Sequence, residues 1–140
     1  DKDLFLERTK TVSAGKMNVA LVGIDGKVLP SNVSAFVSVL GDNNDAITTT
    51  DLIKGLMKIT PTSSRTKAFP SASTIIDALN FTTDYQFVDI SIINLSGSNI
   101  VEVNAGANTT IHGNVTVATS SSGLFRIVKL SSTIDIYRIA

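Results

Sequence analysis

His112 is the only imidazole in the chain, and there is no cysteine. Thiol nucleophiles, disulfides and zinc–thiolate centres therefore have no residue to form them. For acyl chemistry a histidine needs a carboxylate to orient it and a hydroxyl to activate. Asp89, Glu102 and Asp135 are its candidate partners, and the chain holds 16 serines, too many for any one to stand out. No G-x-S-x-G elbow, H-E-x-x-H pair or phosphate loop occurs. The expectation is a protein that is not an enzyme, with no catalytic, cofactor-binding or metal-binding residues and no cofactor. One imidazole cannot build a metal centre alone. Three copies of His112 on a threefold axis could, but a polar histidine at a turn is the plainer reading. Asp42, Asn43, Asn44 and Asp45 offer oxygen donors for a loose cation site without the spacing of a calcium loop, and a solvated loop explains them equally well.

The elements that would position such groups are strands. The chain has 140 residues, enough for one domain with a real core. Ser, Thr and Asn number 42, Ile and Val 28, and the formal net charge is zero. Charged residues make up 17%, against a usual ~25%. β-Branched and small hydroxyl residues suit close-packed strands. Sparse, balanced charge argues against nucleic acid as a partner, and no aromatic interleaves with the one close basic pair in the middle of the chain, Arg65 and Lys67. No apolar run approaches 18 residues, so membrane insertion is not expected.

Residues 1–16 carry seven charges and read as an N-terminal arm or linker; 17–140 read as a single β-sandwich domain. Strands are expected at 17–22 and 33–40, separated by an Asp25-Gly26 turn and Pro30. Residues 41–45 are a loop. A short helix capped by Thr49 or Thr50 is expected to run through Leu52, Ile53, Leu56 and Met57 into a strand at Lys58–Ile59. Residues 61–70 read as an ordered loop. A second helix, 71–79, capped by Ser71 or Ser73, places Ile75, Ile76 and Leu79 on one face. From residue 85 onward strands recur every eight to twelve residues, at 85–94, 99–104, 110–112, 115–118, 123–129 and 133–139, with a polar turn at 120–123. That spacing predicts a mainly β fold, an antiparallel β sandwich of jelly-roll-like form with one or two short helices.

Between Ile90 and Phe125 the only charged side chain is Glu102. Strand faces bare of Lys, Glu and Arg are either Thr- and Asn-rich solvent faces or faces buried against copies of the same chain; burial, which also disposes of unpaired edges, is the expectation. Five N-glycosylation sequons, at Asn32, Asn80, Asn94, Asn108 and Asn114, are what 10 Asn among 32 Ser and Thr produce by chance.

The stretch ITTTDLIKGLMKITPTSSRTKAFPSASTIIDAL, centred on Thr62–Pro70 and followed by helix 71–79, resembles a C-terminal module of virion surface and fibre-like structural proteins of large DNA viruses and phages. The resemblance continues through Phe87–Asn94, VEVNAG at 101–106, GNVTV at 113–117, SGLFRI at 122–127 and TIDIYRI at 133–139, so that 46–140 is the family-like part. Phe69 and Ser71 depart modestly from the Thr-x-Leu-Pro-Thr-Ala-like element usual there. The resemblance implies a homotrimeric virion structural module (minor capsid, cement or spike head) at the virion surface, produced in the host cell and touching other capsid proteins. The alternative is a module that attaches to a host receptor or glycan through loops 41–45, 94–99 and 105–108. Core or interface roles are expected for Ile75, Ile76, Leu79, Glu102, Phe125, Arg126, Tyr137 and Arg138. Phe125, Ile127, Tyr137 and Ile139 are expected to form cross-strand layers. Arg126 and Arg138 are expected to pair with Glu102 or Asp135 of a neighbour.

Overall fold

The computed structural model describes residues 37–140. The arm at 1–16, the strand at 17–22 and the Asp25-Gly26 turn lie outside the described residues, as does the first part of the strand expected at 33–40. Its remainder forms β1, Val37–Val39.

Thr48 opens the first helix, one residue before the expected cap. Its hydroxyl accepts from the Asp51 N–H at 3.2 Å, while the Asp51 carboxylate accepts from the Thr48 N–H at 2.9 Å. This reciprocal capping box starts α1, Thr49–Lys54. Gly55 ends it at φ 79°, a left-handed conformation that glycine adopts without a Cβ clash. Leu56 and Met57, expected in the helix, therefore begin β2, Leu56–Ile59, where Met57 is fully buried. Ser71 caps α2, Ala72–Ala78, as expected.

The stretch 61–70 is not all loop. Arg65–Ala68 is a strand, β3, whose polar sequence carries no hydrophobic alternation to announce it. The chain continues through β4 (Phe87–Asn94), β5 (Val101–Asn104), β6 (Thr109–His112), β7 (Thr116–Val117), β8 (Ser121–Leu130) and β9 (Thr133–Arg138). The polar turn expected at 120–123 sits instead at Thr119–Ser120. Gly123 lies inside β8, where an added Cβ would come within 2.9 Å of the Phe125 ring and 3.0 Å of the Arg138 guanidinium.

The strands form two sheets. One has six strands in the order β1-β2-β4-β8-β9-β6, the other three in the order β3-β5-β7. Among the described residues the fold is mainly β with two short helices, but the sheets are mixed rather than antiparallel. In the larger sheet β1 and β2, β2 and β4, and β6 and β9 run parallel. The cause is the crossovers. α1 lies between β1 and β2, and β3 and α2 lie between β2 and β4, so each connection returns the chain to the end where it started.

The core lies between the sheets. Ile90, Ile92, Phe125, Ile127, Ile134 and Ile136 of the larger sheet share one cluster with Val101, Val103 and Val117 of the smaller. Leu52 of α1, Ile75 of α2 and Phe69 complete it. Phe69 meets Phe125 edge-on at 6.1 Å between centroids. Each such aliphatic residue contributes about 1.5–3 kcal/mol on burial. Phe125 has no exposed surface and packs edge-on against Phe69. Phe125→Ala is expected to cost about 3–5 kcal/mol in a urea titration; a loss under 1 kcal/mol would contradict its place in the core.

Candidate functional site

The loop of acidic and amide oxygens at 41–45 already encloses a cation, and it belongs to the chain. The Lys67 side chain is 1% exposed. Its Nζ donates to the Gly41 carbonyl at 2.9 Å, Asn43 Oδ1 at 2.9 Å and Asp45 Oδ1 at 2.5 Å. Three donors meet three acceptors, so the ammonium is fully used. Beside it Asp42 accepts from Arg65 Nε at 2.6 Å and from the Thr62 hydroxyl at 2.6 Å. The Arg65 bond, followed by that of Thr62, lowers the Asp42 pKa to about 2. The Lys67 bond likewise lowers that of Asp45. The cation-site reading of this loop is replaced by an internal ammonium.

Charge and aromatic rings gather elsewhere, on the outer face of the six-stranded sheet, and no described element covers that face. Alternation along β4, β8 and β9 sends Phe87, Asp89, Arg126, Val128, Asp135 and Tyr137 outward. The register sets Asp89 beside Arg126, Arg126 beside Tyr137 and Tyr137 beside His112. Arg126 binds Asp89 through two bonds, Nε to Oδ1 at 2.9 Å and Nη2 to Oδ2 at 3.0 Å, and lies 4.1 Å over the Phe87 ring. The pair lowers the Asp89 pKa and raises that of Arg126. His112 stacks on Tyr137 at 4.8 Å, and its Nε2 lies 3.6 Å from Asp135 Oδ2. The Tyr137 hydroxyl donates to that same oxygen at 3.2 Å. Desolvation, then the charge of Asp135, raises the Tyr137 pKa. Tyr85, 74% exposed, is held at φ 70°, which is rare for a bulky side chain.

Of the residues singled out from the sequence, Ile75 and Phe125 are fully buried, and Ile76 and Leu79 are partly buried against the core. Arg126 and Tyr137 share the open face. The cross-strand layer expected of Phe125, Ile127, Tyr137 and Ile139 is split, because Tyr137 and Ile139 point outward while Phe125 and Ile127 point inward. Arg126 finds its carboxylate, Asp89, within its own chain. Arg138 turns inward, 5.1 Å from the Phe125 centroid, and donates to the carbonyls of Asn114, Thr116, Ser122 and Ala140. Glu102 stands exposed on β5 in the other sheet. Of its three candidate carboxylates, His112 lies beside Asp135, and no serine hydroxyl hydrogen-bonds to it among the described residues. No cluster of three His, Asp or Glu residues suited to a metal occurs among them either.

At the far end of β4 is a shallow cleft of about 390 Å³, lined by Ile93, Asn94, Leu95, Ser120, Ser121 and Ser122. Asn94 anchors it. Its buried Nδ2 donates to the carbonyls of Asn99, Val117 and Ala118, and its Oδ1 accepts from the Ser96 N–H. This sequon asparagine is thus a structural tie. The sequence pointed to loop 94–99 through its turn residues, but not to Ser120–Ser122, which chain order hides.

Two outcomes follow. Lys67→Met should leave Gly41, Asn43 and Asp45 without their shared donor and cost about 1–3 kcal/mol in a urea titration. A neutral result would contradict the tie. Asp42 has a folded pKa of about 2 against an ordinary 3.8, so its stabilisation is full above 3.8 and is lost as pH falls towards 2. Melting temperatures between pH 5 and pH 2 should fall, and Asp42→Asn should flatten that fall.

No protein-family model matches this chain, and no curated protein or solved structure is detectably similar to it.

Proposed function

We propose that the chain is a non-enzymatic assembly module, a homotrimeric structural β domain of a virion surface. One observation carries the self-association. The outer face near Phe87 presents Tyr85, Phe87 and Tyr137, which are 74%, 53% and 38% exposed, around the Arg126 guanidinium. Tyr, Phe and Arg are the residues enriched at the centre of protein interfaces. The charges among them are already matched, Arg126 by Asp89, so a second copy meets little unpaired charge. The virion setting and the trimer rest on the sequence resemblance, as do contacts to other capsid proteins. So does the jelly-roll-like form, whose support here is two sheets enclosing one core.

Attachment to a host receptor or glycan is the second reading. The cleft at the Asn94 end of β4 favours it, because it adjoins one of the loops the sequence offers for that role.

Light scattering across a concentration series tests the first reading. The expected mass is about 44 kDa, three times 14.8 kDa. A monomer at every concentration would overturn self-association. Tyr137→Asp should weaken assembly by about 2 kcal/mol or more, roughly 30-fold, as a central interface residue does. Tyr137→Phe, which keeps the His112 stack and loses only the Asp135 bond, is the control, and a melting curve of each variant checks that the sheet is intact.

A further inference from the structure

We infer that the cleft formed by Ile93, Leu95 and Ser120–Ser122 is a binding site for a neutral saccharide, taken up as a terminal sugar. The inference rests on the attachment reading and gives it a location and a ligand class. It does not depend on self-association, since β4 sets the cleft seven residue steps, about 24 Å, from the Phe87 end of the open face.

Four features point to this ligand. The volume, about 390 Å³, falls in the range of small-molecule sites, roughly 300–1,000 Å³. No lining residue is ionisable, so a charged ligand would lose hydration without meeting a counter-charge. Ser120–Ser122 line the β8 side, where exposed Ser122 shares the face of its pair Ile93, and a serine hydroxyl both donates and accepts, as each hydroxyl of a sugar does. Ile93 and Leu95 line the other, and Leu95 is 52% exposed; this gives the C–H face of a sugar ring an apolar surface.

Hydrogen bonds tie both walls to the fold. Ser120 sits at φ 49°, in the left-handed region, and its N–H donates to the Ser96 carbonyl at 2.8 Å. The four bonds of the Asn94 amide hold the opposite wall. A preorganised cleft loses less freedom on binding. It has no aromatic floor, so each site binds weakly, and several copies in one assembly would raise the avidity.

The full chain should be probed on an array of neutral and sialylated glycans and, separately, on host-type cells. The expected result is retention of neutral glycans, reduced at least tenfold by Leu95→Asp and by Ser122→Arg. Both side chains are exposed, and near-ultraviolet circular dichroism checks that each variant keeps its fold. Glycan binding unaffected by both substitutions overturns the cleft while attachment stands. Cell binding without glycan binding overturns the saccharide and points to a protein receptor. Absence of binding to both overturns the site and the attachment reading together.

Discussion

A single buried ammonium closes the fold at its most awkward seam. Lys67 belongs to the three-stranded sheet, yet its side chain ends among oxygens of the loop between β1 and α1. A lysine 1% exposed must have every donor occupied, or the cost of removing its charge from water would exceed what burial returns. Here loop 41–45 meets that need, and the loop in turn takes its shape from the lysine. Immediately afterwards Ala46 bridges to Ala68 and the Ile47 N–H donates to the Ala68 carbonyl, so the chain is held along β3 before α1 begins. Arg65 and Asp42 repeat the arrangement one turn of the pleat away.

Once that loop is held, the rest of the topology has little freedom. α1 must start at Thr48, and Gly55 must stop it soon after. The following strand can then only return parallel to β1. The second crossover is limited similarly. Gly106 packs so tightly on the Phe69–Pro70 segment that a Cβ there would fall 2.3 Å from the Pro70 carbonyl oxygen. The parallel pairs β1–β2 and β2–β4 therefore follow from two crossovers, residues 40–55 and 60–86, each carrying a capped helix. One face of the larger sheet is committed to the core, and no described element covers the other.

How much of this the sequence discloses depends on the period of each segment. β4, β8 and β9 alternate cleanly, so both faces of each can be read directly from Phe87–Asn94, Leu124–Lys129 and Thr133–Ile139. The Ser71 cap and Ile75 are equally plain. β3 is hidden because Arg65, Thr66, Lys67 and Ala68 carry no apolar alternation; what buries Lys67 is a loop 22 residues earlier. Strand direction is hidden too, since alternation is the same for parallel and antiparallel neighbours. Leu56 and Met57 look helical because their spacing from Leu52 and Ile53 fits a helix, and only the left-handed Gly55 separates them. For the site, Arg126 is legible as lying on the face opposite Phe125, whereas Tyr137 reads as a layer with Phe125 and Ile127, because β9 carries large apolar residues on both faces. Their partners Asp89 and His112 come from strand register, which local pattern does not encode. The cleft joins residues 93–95 to 120–122, a juxtaposition that exists only after β4 and β8 pair.

β4 links the two ends of the open face in another sense. It is a central strand, flanked by β2 on one side and β8 on the other, with the Tyr85–Phe87 end and the Asn94 end at its extremities. A pull between those ends acts along the strand axis. Every hydrogen bond of both ladders then lies across the load and resists sliding together, whereas a pull on an edge strand would peel bonds apart one at a time. Were the chain held by neighbours at one end and by a target at the other, as proposed, β4 would be a shear-loaded tie rod, and the interface or the ligand would let go before the sheet.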